Sequence, residues 1–466
     1  MIHFPFHPAD KRDKMLAMKK NFYLHIWGML VILAPLWWFL GFNIFIYHFF
    51  AFVLFLFLLH ESTSKNRGLF LPPSVLILVA LTVAYAFSIL IHAGSAERVR
   101  LMASCYNLCY WGMGCMLVLV MANAFRISQL PWVRKCFLIL GAEVGIFALV
   151  MFVLILFGVR VLVFPTPLYG LSGLVESASE SLFDCTVRIV LLQIDWLASG
   201  AYPRMNFLTA YPPEAGNVIM LIMIMLLLPA LRQKKSAHFL RGLIFVGCFG
   251  ALLMTFARTA VTSLLIALLM MATLFRKKRV TLTVIGLLVC VVVFFPLIMQ
   301  AVDWLLRLRK GSTEGRFSLY QYSLQLLDQS DWLLGMGYKP LADVAQHLTS
   351  GSHSSYLTIF FKIGFIGLIL FFLLQFFILI RWWRLRPLVA EDPILMGFWR
   401  VLGGVFFGML LCLTTADLDA TQILAFFYFS IIGFFEAFAR EIRAKSYAGE
   451  TLGEAAEVAG KRLISP

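Results

Sequence analysis

Charged residues make up only 14% of the 466-residue chain, and acids are the scarcer kind, 24 against 39 lysines and arginines. That poverty excludes a disordered chain, which needs more charge and less hydrocarbon. The eight cysteines form no framework. Cys105, Cys109, Cys115, Cys136, Cys248, Cys290 and Cys412 lie inside apolar runs, where a thiol packs as a small hydrophobe. Cys185 alone sits in a polar stretch, so an outer disulfide has no second partner within the chain. A glycine-rich phosphate loop, a metal-spaced His/Cys set and a Gly-x-Ser-x-Gly elbow are missing too. No internal repeat or low-complexity tract is visible.

Hydrocarbon is what the chain has in excess. It is 61% hydrophobic with 45 Phe, and its mean hydropathy is +0.88. A soluble interior of this length cannot hold so much apolar side chain; soluble domains carry about 45–50%. The sequence therefore predicts an all-α polytopic membrane protein, a single transmembrane domain over residues 1–466. Twelve apolar runs are readable: Phe22–Leu40, Ile44–Leu59, Val75–Ile91, Leu101–Ala122, Cys136–Gly158, Gly216–Leu231, Leu243–Phe256, Ala260–Phe275, Val280–Met299, Tyr356–Ile380, Leu395–Leu413 and Gln422–Phe438. Only Ala257-Arg258-Thr259 divides the seventh from the eighth. One straight helix there would overshoot the ~30 Å hydrocarbon core, so two spans with a tight turn are expected. Met1–Lys20 is polar and the first run is long enough to stay, so no cleavable signal is expected.

Lysine and arginine set the orientation. With both termini cytoplasmic, 26 of the 39 cations fall inside, 11 outside and two, Lys362 and Arg400, within spans. The basic excess is thus a topology signal with an affinity for anionic lipid, and it gives no support for nucleic acid. Two outer loops are long, residues 159–213 and 300–352, and short amphipathic helices are expected in them. Loops of that length are uncommon without a task, which places function on the outer face.

The outer cations matter because the positive-inside bias opposes them. Arg258, between two apolar halves, either snorkels to lipid phosphate or faces an interior cavity and meets an anionic ligand. Arg204 precedes Pro212-Pro213-Glu214, where Glu214 also suits the first turn of a helix. Arg316 follows Ser312 and Thr313, cap residues for a surface helix with Phe317, Tyr320, Leu324 and Leu327 at helical spacing. A cation in that first turn opposes the helix dipole. His353 stands where the second long loop meets a span; a lone interfacial His is commonly a hydrogen-bonded anchor, and it is also the first candidate for a general base. Lys362, about two turns deeper, needs an anion or a carbonyl.

At these places the chain resembles the bacterial O-antigen ligases and O-antigen or exopolysaccharide polymerases, integral-membrane glycosyltransferases of the C type. The resemblance rests on Arg204 through Glu214 to Asn217, on Phe256-Ala257-Arg258-Thr259-Ala260 and on Gly315-Arg316 with its amphipathic helix. Leu334-Gly335-Met336-Gly337-Tyr338 and His353-Ser354-Ser355-Tyr356-Leu357 with Gly364 and Gly367 complete it. It covers roughly Arg204 to Phe372. Ala257 replaces the usual Ser, Ser354 the usual Asn, and Met205-Asn206 a small residue.

The resemblance implies a bacterial inner-membrane enzyme whose donor is a polyprenyl (undecaprenyl) diphosphate-linked oligosaccharide. Its acceptor is a lipid-linked saccharide or lipid A-core, and no cofactor or metal is implied. His353, Arg258, Arg316 and Glu214 are implied as catalytic, and Arg204, Arg98, Arg100, Tyr338 and Lys362 as substrate-binding. Glu214-Ala215-Gly216 looks like the polymerase form. The outer segments carry 11 cations against 13 acids, a rim not basic enough to favour a phosphate-rich lipid A acceptor. A saccharide-lipid transporter would show repeats and broken midplane spans. A cell-wall polymerase would carry a catalytic acid in the late loop, for which Glu314 and Asp343 are available.

Overall fold

The computed structural model describes residues 11–66, 68–171, 186–197, 200–229, 235–273, 310–327, 331–342, 345–349 and 354–463. The side chains of residues 11–21, 171, 195–201, 235–237, 310–317, 341–342, 345–349 and 447–463 are not part of that description. The described helices are α1 (Lys11–Ile32), α2 (Ala34–Phe39), α3 (Asn43–Ser64), α4 (Pro73–His92), α5 (Arg98–Ala124), α6 (Leu130–Leu156) and α7 (Pro212–Met225). They continue as α8 (Lys235–Met254), α9 (Arg258–Thr273), α10 (Lys310–Gln325), α11 (Asp331–Leu334), α12 (Ser355–Arg384), α13 (Pro393–Cys412) and α14 (Gln422–Leu463). Seven stretches among the described residues are long and apolar enough to cross a membrane, and four shorter apolar helices accompany them.

Eleven of the twelve apolar runs fall on helices; the ninth, Val280–Met299, lies outside the described residues. Prolines open several helices, where a missing N–H costs nothing: Pro73 in α4, Pro212 in α7 and Pro393 in α13. Asp392 caps α13 by accepting from the N–H groups of Ile394 and Leu395. The expected break between the seventh and eighth runs is present. Helix α8 ends at Met254, Phe256 adopts φ +50, and α9 begins at Arg258.

The all-α expectation needs correcting outside the bundle. In the first long loop the described residues form no amphipathic helix but a three-stranded antiparallel sheet, β1 (Leu162–Pro165), β2 (Arg188–Leu197) and β3 (Gly200–Met205). Val187, Ile189 and Leu191 are buried while Arg188 and Val190 are only partly so, the two-residue period of a half-buried strand. A second pair, β4 (Leu341–Ala342) and β5 (Ala345–Thr349), lies in the late loop. Helix α10 is present as expected, but its buried face carries Leu319 and Ser323, Leu324 is exposed, and Leu327 is buried just beyond its end.

The apolar span of α14 is wholly enclosed and forms the axis of the bundle. Aromatic rings fill the space around it: Trp27 meets Phe434 edge-on, Phe125 packs on Phe434, and Trp111 meets Phe429.

Candidate active site

Four elements converge beside the α8–α9 turn. Arg204, on β3 opposite Gln193, is buried and donates from Nε (2.9 Å) and Nη2 (2.7 Å) to the carbonyl of Thr255. A guanidinium there satisfies a carbonyl at the negative end of α8. Gly216 brings α7 onto the same turn. A Cβ on it would lie 2.4 Å from the Ala257 Cβ and 2.9 Å from the Thr255 Oγ1, so only glycine permits this approach. The start of α7, which carries Glu214 and Asn217, is thereby packed on the turn that Arg204 holds from β3, and Arg258 is half-buried at the first position of α9.

A second group lies where α12 and the α13–α14 connection meet. Lys362 Nζ donates to Asp419 Oδ2 at 2.7 Å, with both side chains almost fully enclosed. Lys339 pairs with Asp417. The Ser355 hydroxyl donates to the carbonyl of Ala416 (2.6 Å) and accepts from the Leu418 N–H (2.9 Å). Its backbone N–H reaches the carbonyls of Leu413 and Ala416. The first turn of α12 is therefore pinned to the acid-bearing connection.

Glu214 joins the two groups. It lies in the first turn of α7, ahead of the apolar run that begins at Gly216. Burial, then the neighbouring Asp417 charge, pushes its pKa up to about 8, while a nearby Thr421 hydroxyl pulls the other way. Asp417 is raised to about 6 by burial, against the pull of Lys339. Burial would raise Asp419 too, but Lys362 and Lys339 hold it below the ordinary carboxylate range. Lys339 is lowered, chiefly by burial. Two lysines balance two aspartates, so the third carboxyl is favoured neutral.

The Leu334–Tyr338 segment is fastened by backbone. Met336 N–H donates to the carbonyl of Phe361 (2.9 Å) and Gly337 N–H to that of Lys362 (3.0 Å). Gly335, Gly337 and Gly364 all have positive φ, and Gly364 kinks α12. The Ser88 hydroxyl donates to the Lys362 carbonyl at 2.8 Å, tying α4 to the kink. Half-buried Tyr338 follows this turn.

Of the residues singled out from sequence, Arg204 and Arg258 share the α8–α9 turn, while Glu214 lies beside Asp417 and Lys362 is paired with Asp419. Arg100 is buried on the face of α5 that carries Ser104, whereas Arg98 is exposed. His353 lies outside the described residues, and Arg316 is described by its backbone alone, on α10. Lys339, Asp417, Asp419 and Ser355 were missed. The available signal was two acids packed into the short interval between apolar runs, which the charge count treated only as rim charge. Among the described residues no group of three or more His, Cys, Asp or Glu side chains is arranged to hold a metal ion.

Helices of this length, number and hydropathy define a multi-pass membrane protein. Residues 243–372 match the family model described as O-antigen ligase. The match supports a ligase- or polymerase-type membrane glycosyltransferase acting on lipid-linked saccharide. It spans Arg258, Arg316, Lys339, His353 and Lys362, and leaves Arg204, Glu214, Asp417 and Asp419 outside. A comparison with curated proteins returns no match.

Proposed function

We propose that the protein polymerises polyprenyl-diphosphate-linked oligosaccharide repeat units at the periplasmic face of the bacterial inner membrane. The observation that carries the reading is the O-antigen ligase match, whose segment contains Arg258, Arg316 and His353. In this reading the chain has twelve spans, both termini are cytoplasmic, and the long loops 159–213 and 300–352 are periplasmic. An acceptor hydroxyl attacks the anomeric carbon, the bond to diphosphate breaks, and the electron pair leaves with the lipid diphosphate. His353 takes the hydroxyl proton. Arg258 and Arg316 stabilise charge growing on the diphosphate without a metal. Arg204 acts at one remove, by holding the Thr255 carbonyl and so the turn that starts α9. Glu214, neutral at pH 7, serves as a hydrogen-bond donor rather than a base.

A second reading, transfer of finished polymer to lipid A-core, is favoured by the family description itself, which names a ligase. Deleting the gene and separating the cell's glycans decides between them. Single repeat units attached to the acceptor, with polymer lost, are the expected result. Intact polymer accumulating on polyprenyl diphosphate would transfer the assignment to ligase.

A further inference from the structure

At the end of the bundle remote from the candidate site, three apolar runs stop at one level. The run in α5 ends at Ala122 and that in α14 at Phe438, while the run in α4 starts at Val75. The residues just beyond them touch. Asn123 Nδ2 donates to the carbonyl of Phe70 at 2.8 Å, and its Oδ1 accepts from the Phe70 N–H at 3.0 Å. The Arg440 guanidinium lies over the Phe70 ring, 4.9 Å from its centroid. The Ile127 N–H donates to Glu441 Oε2 at 3.0 Å, which fastens the corner after α5 to α14. The charges of Arg126 and Arg440 consequently act on each other.

Two like charges held together at the edge of hydrocarbon call for an anion. Among the described residues no hydrogen bond or ion pair reaches either guanidinium. The nearby acids are engaged elsewhere. Glu436 accepts from the Ser74 hydroxyl at 2.7 Å and pairs with Arg381. Glu441 attracts Arg440 without touching it, and its own oxygens are held by the Ile127 N–H and by Lys445 at 3.5 Å. Both arginines are half-buried, so each keeps an accessible part. The ends of the three runs set their depth at the headgroups, where a phosphodiester can accept from two guanidiniums at once. Hydrocarbon continues from the same place. Leu71 is exposed beside Phe70, and Leu76, Val79 and Val83 follow at helical spacing as an exposed stripe of α4.

We propose that Arg126 and Arg440 bind the phosphate of an anionic phospholipid whose acyl chain lies along this stripe of α4. A soluble phosphate would gain nothing from the stripe, and a zwitterionic lipid would bring its own cation to a place that already has two. In the proposed orientation the lipid belongs to the cytoplasmic leaflet, whose surface is anionic. Bound there, it would tie the end of α5 and the start of α4 to α14, the axis of the bundle.

The test titrates full-length protein in detergent with phosphatidylglycerol or phosphatidylcholine and counts bound lipid by native mass spectrometry. Phosphatidylglycerol should bind the more tightly, and Arg126→Gln and Arg440→Gln should each weaken it roughly fivefold. Arg440→Lys keeps the charge and should lose less. Lys135→Gln removes an equal charge from an exposed position on α6 and should leave the affinity unchanged. Melting in phosphatidylcholine nanodiscs checks that each variant is folded; if Arg440→Gln is not, Arg126→Gln and Arg440→Lys decide. Folded arginine variants that bind phosphatidylglycerol as tightly as wild type would overturn the site. So would an equal loss in Lys135→Gln, which would reduce the effect to surface charge. Inorganic phosphate that displaces the bound lipid at matching concentration would also overturn it, by making a soluble anion the occupant.

Discussion

Glu214 shows how a single carboxyl reports its surroundings. It lies beside Asp417, and its pKa rises to about 8 because desolvation and that negative neighbour both disfavour its charge. In the unfolded chain it would titrate near 4.5. The folded state thus binds the extra proton, and the stability this lends is complete below about pH 4.5 and lost as pH rises through about 8. The thermal midpoint of the wild type should therefore fall between pH 5 and pH 9. Glu214→Gln, permanently neutral, should fall less, and scanning fluorimetry of the two proteins across that range checks it. Equal slopes would place the carboxyl in contact with water. Arg258 makes a different kind of prediction. If it stabilises the departing diphosphate, Arg258→Ala should lose roughly 100- to 1,000-fold in turnover, about 3–4 kcal/mol, with the fold intact. Lysine should rescue poorly because it lacks the planar fork. Near-normal turnover in His353→Ala would show that another group accepts the proton.

Among the elements, the kinked α12 and the Leu334–Tyr338 turn stand or fall together. A Cβ on Gly364 would lie 2.4 Å from the backbone of Leu333, and one on Gly335 would lie 2.4 Å from the backbone of Ile363. Both residues also have positive φ. Gly364→Ala and Gly335→Ala should each cost about 1–3 kcal/mol from backbone conformation alone, before the clash is counted. Lower thermal midpoints, with α12 still helical by circular dichroism, are the expected outcome. The Leu334-Gly335-Met336-Gly337-Tyr338 motif was legible in the sequence, because glycine punctuates a turn whatever surrounds it. Its backbone pairing with Phe361 and Lys362 was not, since hydrogen bonds between main chains leave no mark on residue type. The β2 strand was not legible for another reason: Ile189 to Leu197 is a short apolar stretch without strict alternation, and periodicity alone does not tell such a strand from a helix segment.

For the molecule as a whole, eleven of the twelve apolar runs that hydropathy alone had delimited fall on helices among the described residues. Membrane helices are the elements whose signal is strongest, because solvent enforces it on every side chain. The gathering of β3, α7 and the α8–α9 turn was readable only as a set of residue types, and Gly216 is what makes it a place. Asp417 and Asp419 were invisible as partners of Lys339 and Lys362 because nothing local links residues so far apart in sequence. Topology offers a separate check: single cysteines placed at positions 258, 316 and 353 should all react with a membrane-impermeant reagent from the periplasmic side. Labelling of position 258 from the cytoplasm alone would dismantle the proposed site.

Glycosyl transfer itself is tested most directly by supplying purified protein with the polyprenyl-diphosphate repeat unit in EDTA and separating the lipid-linked products by size. The account predicts a ladder of longer saccharides with polyprenyl diphosphate released in step, abolished in Arg258→Ala. Unchanged repeat units after prolonged incubation with folded wild-type protein, or a ladder made equally well by Arg258→Ala, would contradict it.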